Sequence, residues 1–259
     1  MQSFDTKWLG KDFRYLEVTG STNDDCARFL QEGAEHGLVV AAGQQMSGKG
    51  RRGRQWSSPP GQSVYMTIGL KPEFAPDKAS MLTMVMALSV LRALEQVCAA
   101  DNIFIKWPND IVIDGRKVCG ILTEMHLAGD RIDHVVIGVG VNVNTPAFPA
   151  ELSEVATSLF TEYARTYDCN GVIAAILECF ERYYEKFVET CDMSAIMGEY
   201  VEKMINVGRK VRVLDPQGEY AATARGINEK GELLVEREDG TIEAVYAGEV
   251  SVRGIYGYV

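Results

Sequence analysis

No Cys-x-x-Cys pair occurs among the six cysteines, Cys26, Cys98, Cys119, Cys169, Cys179 and Cys191, which removes the spacing that zinc and dithiol centres use. Scattered in this way they read as buried or half-buried free thiols of a reducing compartment. No uninterrupted apolar run reaches the roughly 20 residues that span a bilayer. Residues 1–10 lack the basic, apolar and small regions of a signal peptide. Positive charge is also scarce, with 26 Lys and Arg against 36 Asp and Glu and a formal net charge of -10. That balance withholds the broad basic face from which a general nucleic-acid binder draws its affinity. The expectation is a cytoplasmic globular protein with no membrane association. A chain of 259 residues is long enough for one large domain or for a large and a small one.

Against this acidic background one stretch reverses sign. Residues 43–56 read Gly-Gln-Gln-Met-Ser-Gly-Lys-Gly-Arg-Arg-Gly-Arg-Gln-Trp, placing Lys49, Arg51, Arg52 and Arg54 on a backbone punctuated by Gly48, Gly50 and Gly53. Glycine lets main-chain N–H groups approach a ligand, and Arg and Lys complement carboxylate or phosphate oxygens, so the stretch suits a small anion. A nucleotide P-loop fits its beginning, Gly43-x-x-x-x-Gly48-Lys49. That pattern then requires Ser or Thr where Gly50 stands, and a helix that Gly53, Pro59 and Pro60 oppose. The pair Gly138-x-Gly140 likewise lacks the third glycine of a dinucleotide fingerprint.

The patterning around the loop is a strand at 13–18, a helix from Ser21-Thr22-Asn23-Asp24-Asp25 to about 32, and strands at 38–42 and 64–70. Taken alone, Ser21-Thr22-Asn23 reads as a helix cap with acidic residues in the first turn. Residues 79–98 are apolar all round and read as a buried helix, interrupted by Thr83, Ser89 and Arg92. Hairpin-linked strands over 103–143 indicate a mixed or antiparallel sheet, not repeated βαβ units. The apolar spacing turns helical over 150–167 and 171–201. Past Asn206, short strands at 210–214, 220–227, 232–236, 242–246 and 250–252 suggest a small barrel, with the domain boundary near 206.

Lys106 is the most distinctive single residue. It lies between Ile105 and Trp107 in an apolar strand, where burial is costly unless an anion accepts its charge. The alternative is a lysine reaching to solvent from a strand end. Asn109 and Asp110 follow in a turn fixed by Pro108, and Asp110 suits magnesium, a turn cap or an ion pair with a loop arginine equally well.

Together the segments resemble the biotin protein ligases. Ser21-Thr22-Asn23, Gly48-Lys49-Gly50-Arg51-Arg52-Gly53-Arg54-x-Trp56, Lys106-Trp107-Pro108-Asn109-Asp110, Lys117-x-x-Gly120-Ile121-Leu122-x-Glu124 and Gly138-x-Gly140-x-Asn142-x-Asn144 occur in the family's order and at similar spacing, from about Tyr15 to the C-terminus. The resemblance implies an α+β fold. A mixed β-sheet catalytic domain with helices, class II synthetase-like, would occupy residues 1–205, and a small SH3-like β-barrel 206–259. It implies a biotin-[acetyl-CoA-carboxylase] ligase that uses ATP and Mg2+ to make biotinyl-5'-AMP, then passes biotin to a lysine of a biotin carboxyl carrier protein or domain.

Carried over by position, Lys106 and Arg51 would be catalytic. Ser21, Thr22, Asn23, Gln45, Lys49, Gly50, Arg51, Lys106, Gly120, Ile121 and Gly138 would bind biotin, the first four facing its ureido ring. Arg51, Arg54, Trp56, Lys106, Asn109 and Asn142 would bind the nucleotide, with Trp56 stacking on adenine and Asp110 assisting magnesium. Two positions depart from the pattern: Lys49 stands where Arg is more familiar, and Met46-Ser47 where Thr-Ala is. About a dozen residues precede the first strand, so the resemblance implies a ligase without the winged-helix repressor domain and without DNA binding. Rival readings are a lipoate or octanoate ligase of the same superfamily, a non-catalytic biotin-responsive binding protein, and an interaction protein using the barrel. Residues 135–143 suit pairing across the two-fold axis of a homodimer as readily as cover by helices.

Overall fold

Alternating burial builds the main layer. The computed structural model describes residues 4–215, 218–246 and 251–254. Strands β1 (Phe13–Thr19), β2 (Leu38–Gln45), β3 (Ser63–Leu70), β4 (Ile103–Lys106), β5 (Asp110–Ile113), β6 (Arg116–Ala128) and β7 (Arg131–Asn142) form one seven-stranded sheet in the order β1-β2-β3-β7-β6-β5-β4. Only β1 and β2 run parallel. Helix α1 (Thr22–Gln31) makes their crossover and lays Cys26, Ala27 and Leu30 on Leu38, Val40 and Val136.

The opposite face carries α2 (Leu82–Cys98) and α4 (Cys169–Thr190), whose side chains complete the principal core with Val39, Met66, Ile68, Val135, Ile137 and Val139. Sheet on one side and α4 on the other explain why α2 is apolar all round. The segment Pro76–Cys98 is long and apolar enough to cross a membrane, yet 72% of its apolar window is buried inside the protein. Its first turn, Pro76–Met81, is a 3-10 helix.

Three expectations change. Residues 150–167 are not one helix: only α3 (Leu159–Tyr163) forms. The preceding segment gives its hydrogen bonds to β6 instead, with Lys117 N donating to Val155 O (2.8 Å) and Thr157 N to Lys117 O (2.9 Å). Helicity over 171–201 is broken at Cys191, whose φ of 54° ends α4 before α5 (Met197–Glu202) begins. Finally, β7 has both edges taken, by β3 and β6, so residues 135–143 offer no edge to a second copy.

Strands β8 (Lys210–Asp215), β9 (Gly218–Ile227), β10 (Leu233–Glu236), β11 (Ile242–Val245) and β12 (Ser251–Gly254) form a five-stranded antiparallel sheet in the order β11-β10-β9-β8-β12. Of the expected final strand, Val250 lies outside the described residues.

One buried carboxylate fastens the N-terminal segment. Glu181 on α4 is 6% exposed and accepts three backbone N–H groups, from Lys7 (2.7 Å), Trp8 (2.9 Å) and Leu9 (3.0 Å). Burial alone would raise its pKa, but the N–H groups of Leu9, Lys7 and Trp8 and the charge of Lys7 outweigh it and hold the carboxyl below the usual glutamate range. A depressed folded pKa contributes stability above the unfolded value, and that contribution is lost as pH falls through the folded one. Glu181→Gln is expected to cost about 1–3 kcal/mol at pH 7. Urea titrations should show the gap between wild type and variant narrowing in acid, and an undiminished gap would contradict the assignment.

Candidate functional site

The face of the sheet that carries α1 is bare beyond the helix N-terminus. In the ladders, Gly120 pairs with Gly140 and Leu122 with Gly138, so three strand positions that point to this face lack side chains. The space is already claimed. A Cβ on Gly140 would lie 2.6 Å from Trp56 Nε1 and Cε2, one on Gly120 would lie 2.9 Å from Trp56 Cζ3, and one on Gly138 would lie 2.2 Å from Asn23 Oδ1. Close approach, not backbone conformation, requires glycine here, since none of the three has positive φ.

Ser21 occupies the N-cap of α1, with Asp24 and Asp25 in the first turn, as the cap reading has it, but its hydroxyl makes no capping hydrogen bond. Ser21, Thr22 and Asn23 are all buried. Gln45, at the end of β2, accepts through Oε1 from Thr22 N (2.9 Å) and Thr22 Oγ1 (3.1 Å), and donates through Nε2 to Ser58 Oγ (2.9 Å). Asn23 donates to Glu124 Oε2 (2.6 Å), and its Oδ1 lies 2.7 Å from Thr67 Oγ1. Thr67 is fully buried in the otherwise apolar β3. Hydroxyl and amide groups thus line one end of a narrow cavity of about 50 Å³.

The basic stretch folds over this cavity as a small hairpin. Lys49 bridges to Gln55, Gly50 N donates to Arg54 O (2.7 Å) and Trp56 N to Gly48 O (2.8 Å), with Arg51–Gly53 as its 3-10 turn. Lys49 pairs with Asp24 in the first turn of α1, which ties hairpin to helix across the cavity mouth. Arg51 Nη1 donates to Asn109 Oδ1 (3.0 Å). Burial lowers the Arg51 guanidinium pKa and Arg52 adds to that, while Asp110 opposes it.

Ser21, Thr22, Asn23, Gln45, Lys49 and Gly50, with Arg51, Gly120, Ile121 and Gly138, all line the narrow cavity. Lys106 does not. It lines a second cavity of about 680 Å³, together with Arg51, Arg54, Trp56, Asn109, Asp110 and Asn142. Lys106 and Asp110 face each other across the β4–β5 ladder, and Lys106 is 5% exposed. Among the described residues it is the one buried lysine or arginine. Gly50, Arg51, Trp56, Asn109 and Lys117 line both cavities, so the two meet at a shared wall.

Trp56 lies at that wall and lines both cavities. One face of the indole rests on Gly120 and Gly140, and Lys117 Nζ stands 5.2 Å from the ring centroid. Its Nε1 is buried with no hydrogen-bond partner among the described residues, a donor placed where a ligand acceptor would satisfy it.

Several site residues escaped the sequence reading. Lys117 Nζ lies 2.6 Å from Asp110 Oδ1. Its presence in a quoted motif was the available signal. Thr67 is flanked by Met66 and Ile68 in a mostly apolar strand, and that contrast was its signal. Phe148, Pro149, Leu152 and Val155 give the larger cavity an apolar wall, and of these Leu152 and Val155 sat in the segment expected to be helical.

Comparison with known proteins shows the family. Residues 15–142 match the model of the biotin/lipoate A/B protein ligase family, and residues 207–253 that of the biotin protein ligase C terminal domain. The bifunctional ligase/repressor BirA of Bacillus subtilis is 35% identical over 249 residues, covering 95% of this chain and 76% of that protein. The biotin--[acetyl-CoA-carboxylase] ligase of Mycobacterium tuberculosis is 30% identical, covering 93% of this chain and 90% of that one. Among solved structures, the biotin protein ligase from Aquifex aeolicus in complex with biotin and ATP superposes with a TM-score of 0.82 at 31% identity, covering 94% and 99% of the two chains.

Proposed function

This chain belongs to the biotin protein ligase family, and from that premise we propose a division of labour between its two cavities. The narrow cavity takes biotin, with its ureido ring toward Ser21, Thr22, Asn23 and Gln45, and the larger one takes ATP. The observation that carries this reading is the shared wall: a carboxylate in one cavity and an α-phosphate in the other would meet beside Gly50, Arg51, Trp56, Asn109 and Lys117, and Lys106 lines the larger of the two cavities.

A biotin carboxylate oxygen attacks the α-phosphorus, the bond to the β-phosphate oxygen breaks, and pyrophosphate leaves. The amine of a carrier lysine then attacks the acyl carbon of biotinyl-5'-AMP, forms the amide and releases AMP and a proton. Lys106 neutralises charge on the phosphoryl oxygens as the transition state forms, in a buried setting where a fixed cation acts strongly. Arg51 holds the carboxylate and phosphate, and Lys49 keeps the hairpin fastened to Asp24. Gly120, Ile121 and Gly138 wall the biotin. Arg54, Asn109 and Asn142 hold the nucleotide, whose base suits the wall of Phe148, Pro149, Leu152 and Val155.

Among the described residues no group of three His, Cys, Asp or Glu gathers as a metal site. Asp110 is the single carboxylate of the larger cavity, a donor set that suits magnesium carried on the phosphates and keeping most of its waters. Bound there, magnesium would supply charge neutralisation to the phosphates, with Asp110 and the Asn109 amide as its protein contacts.

The domain division falls near Asn206, with the catalytic part at 1–205 and the smaller part at 206–259. Free thiols and the use of ATP both suit a cytoplasmic enzyme. A net charge of -10 supports a carrier protein, not DNA, as the macromolecular partner.

Pyrophosphate release on mixing the protein with ATP, magnesium and biotin tests the reading, with lipoate and octanoate in parallel. Release with biotin alone supports it, release with the other acids moves the substrate, and silence with all three refutes adenylation. Arg51→Ala should leak its intermediate: pyrophosphate released per biotin transferred to carrier should rise severalfold, on the order of the loss expected when a closed site admits water. An unchanged ratio would count against the role given to Arg51.

A further inference from the structure

Strand β4 ends the seven-stranded sheet, so one of its edges is left for something outside the sheet to cover. Residues 203–206 cover it. Ile105 N donates to Lys203 O (2.8 Å) and Ile205 N to Ile105 O (2.9 Å), a parallel bridge beside Met204. One residue further, Trp107 N donates to Asn206 Oδ1 (2.9 Å), and Asn206 is 1% exposed. The Trp107 indole then reaches the C-terminal sheet, where Nε1 donates to Gly231 O (3.1 Å). Gly231 lies in a firm turn between β9 and β10: Asn228 Oδ1 accepts from Lys230 N and Glu232 N, both at 3.0 Å, and Gly231 N donates to Asn228 O at 2.9 Å. Both neighbours of Lys106 in the chain are therefore held from the C-terminal side, while Lys106 faces Asp110 on the other.

We propose that Asn206 and the turn at Gly231 are positioning elements for Lys106, acting through the Trp107 backbone and indole. This rests on the adenylation reading above. A lysine that stabilises a transition state must hold its ammonium to a fraction of an ångström, and a backbone anchored on one edge alone does not supply that. The C-terminal sheet is in this sense part of the catalytic apparatus, although among the described residues its strands contribute none to either cavity.

The test compares Trp107→Phe, which keeps a buried aromatic ring, removes the donor to Gly231 and trims the indole where it lines the larger cavity, with Asn206→Ala and with Val213→Ala. Val213 is fully buried in β8 and takes part in neither hydrogen bond. Melting temperature, kcat for pyrophosphate release at saturating ATP, and KM for biotin are measured for each. The first two variants should lose about tenfold or more in kcat with KM for biotin within about twofold, while Val213→Ala loses at least as much melting temperature and keeps kcat within about twofold. Unchanged kcat in Trp107→Phe and Asn206→Ala, or a loss that tracks melting temperature across all three, overturns the proposal. If Asn206→Ala fails to fold, Trp107→Phe decides. A silent wild type refutes adenylation and the proposal together; an active wild type with unaffected variants refutes the positioning alone.

Discussion

Replacing Lys106 with Met is expected to lower biotin-dependent pyrophosphate release by about 10²- to 10³-fold while leaving the fold and its melting temperature nearly unchanged. The two halves of that expectation have separate causes. The rate falls because no other cation lines the larger cavity from β4, and a buried ammonium beside the reacting phosphate acts in a medium that screens it poorly. Stability holds because Asp110, the carboxylate opposite Lys106, keeps Lys117 at 2.6 Å and is not left as an uncompensated buried charge. Methionine also fills the space of the lysine stem. Lys106→Arg should rescue poorly, since a wide planar fork replaces a compact charge. Pyrophosphate assay with calorimetry on the same preparations checks both halves, and a variant within about threefold of wild type would remove Lys106 from the mechanism.

The second large effect is expected from one methyl group. In Gly138→Ala the new Cβ would stand 2.2 Å from Asn23 Oδ1 and 3.0 Å from its Cγ. Asn23 has nowhere to retreat, because Glu124 Oε2 at 2.6 Å and Thr67 Oγ1 at 2.7 Å hold its two ends and the residue is buried at the start of α1. Overpacking of this kind costs about 1–3 kcal/mol, which corresponds to roughly 5- to 150-fold weaker biotin binding if the displaced group is the amide that meets the ureido ring. Isothermal titration with biotin reads this directly. The nucleotide cavity is lined by other residues, so ATP binding should stay near wild type. Weakening of both ligands alike would show general damage to the sheet, and unchanged biotin affinity would remove Asn23 from its contacts.

What the sequence made legible follows from how local each signal is. Lys49, Arg51 and Arg54 stood out because they reverse the charge of an acidic chain within a few residues, and Lys106 because a lysine between Ile105 and Trp107 contradicts its surroundings. Strands β2, β3 and β7 announce themselves by composition. The segment 150–158 misled for the opposite reason: its apolar residues have helical spacing, but Leu152, Val155 and Ala156 line a cavity, its local hydrogen bonds close turns on Pro149 and Leu152, and Val155 O and Thr157 N pair with Lys117 on β6, which no local pattern records. The cap position of Ser21 was legible because caps are decided within four residues, whereas its place in the cavity depends on β2, β6 and β7. The same holds for Thr67, whose partners are 44 and 45 residues away in the chain. Long-range placement, not residue chemistry, was the missing information.

The strip of chain at 203–206 has one more consequence, for the chain as it is made. Until those residues emerge, Ile103-Phe104-Ile105 presents an apolar strand with unpaired amides and carbonyls at the margin of an otherwise finished sheet, a template on which another nascent chain can add a strand. Covering that margin late in synthesis makes the segment a gatekeeper against aggregation, so a product truncated before residue 203 would be a sticky species as well as an incomplete one.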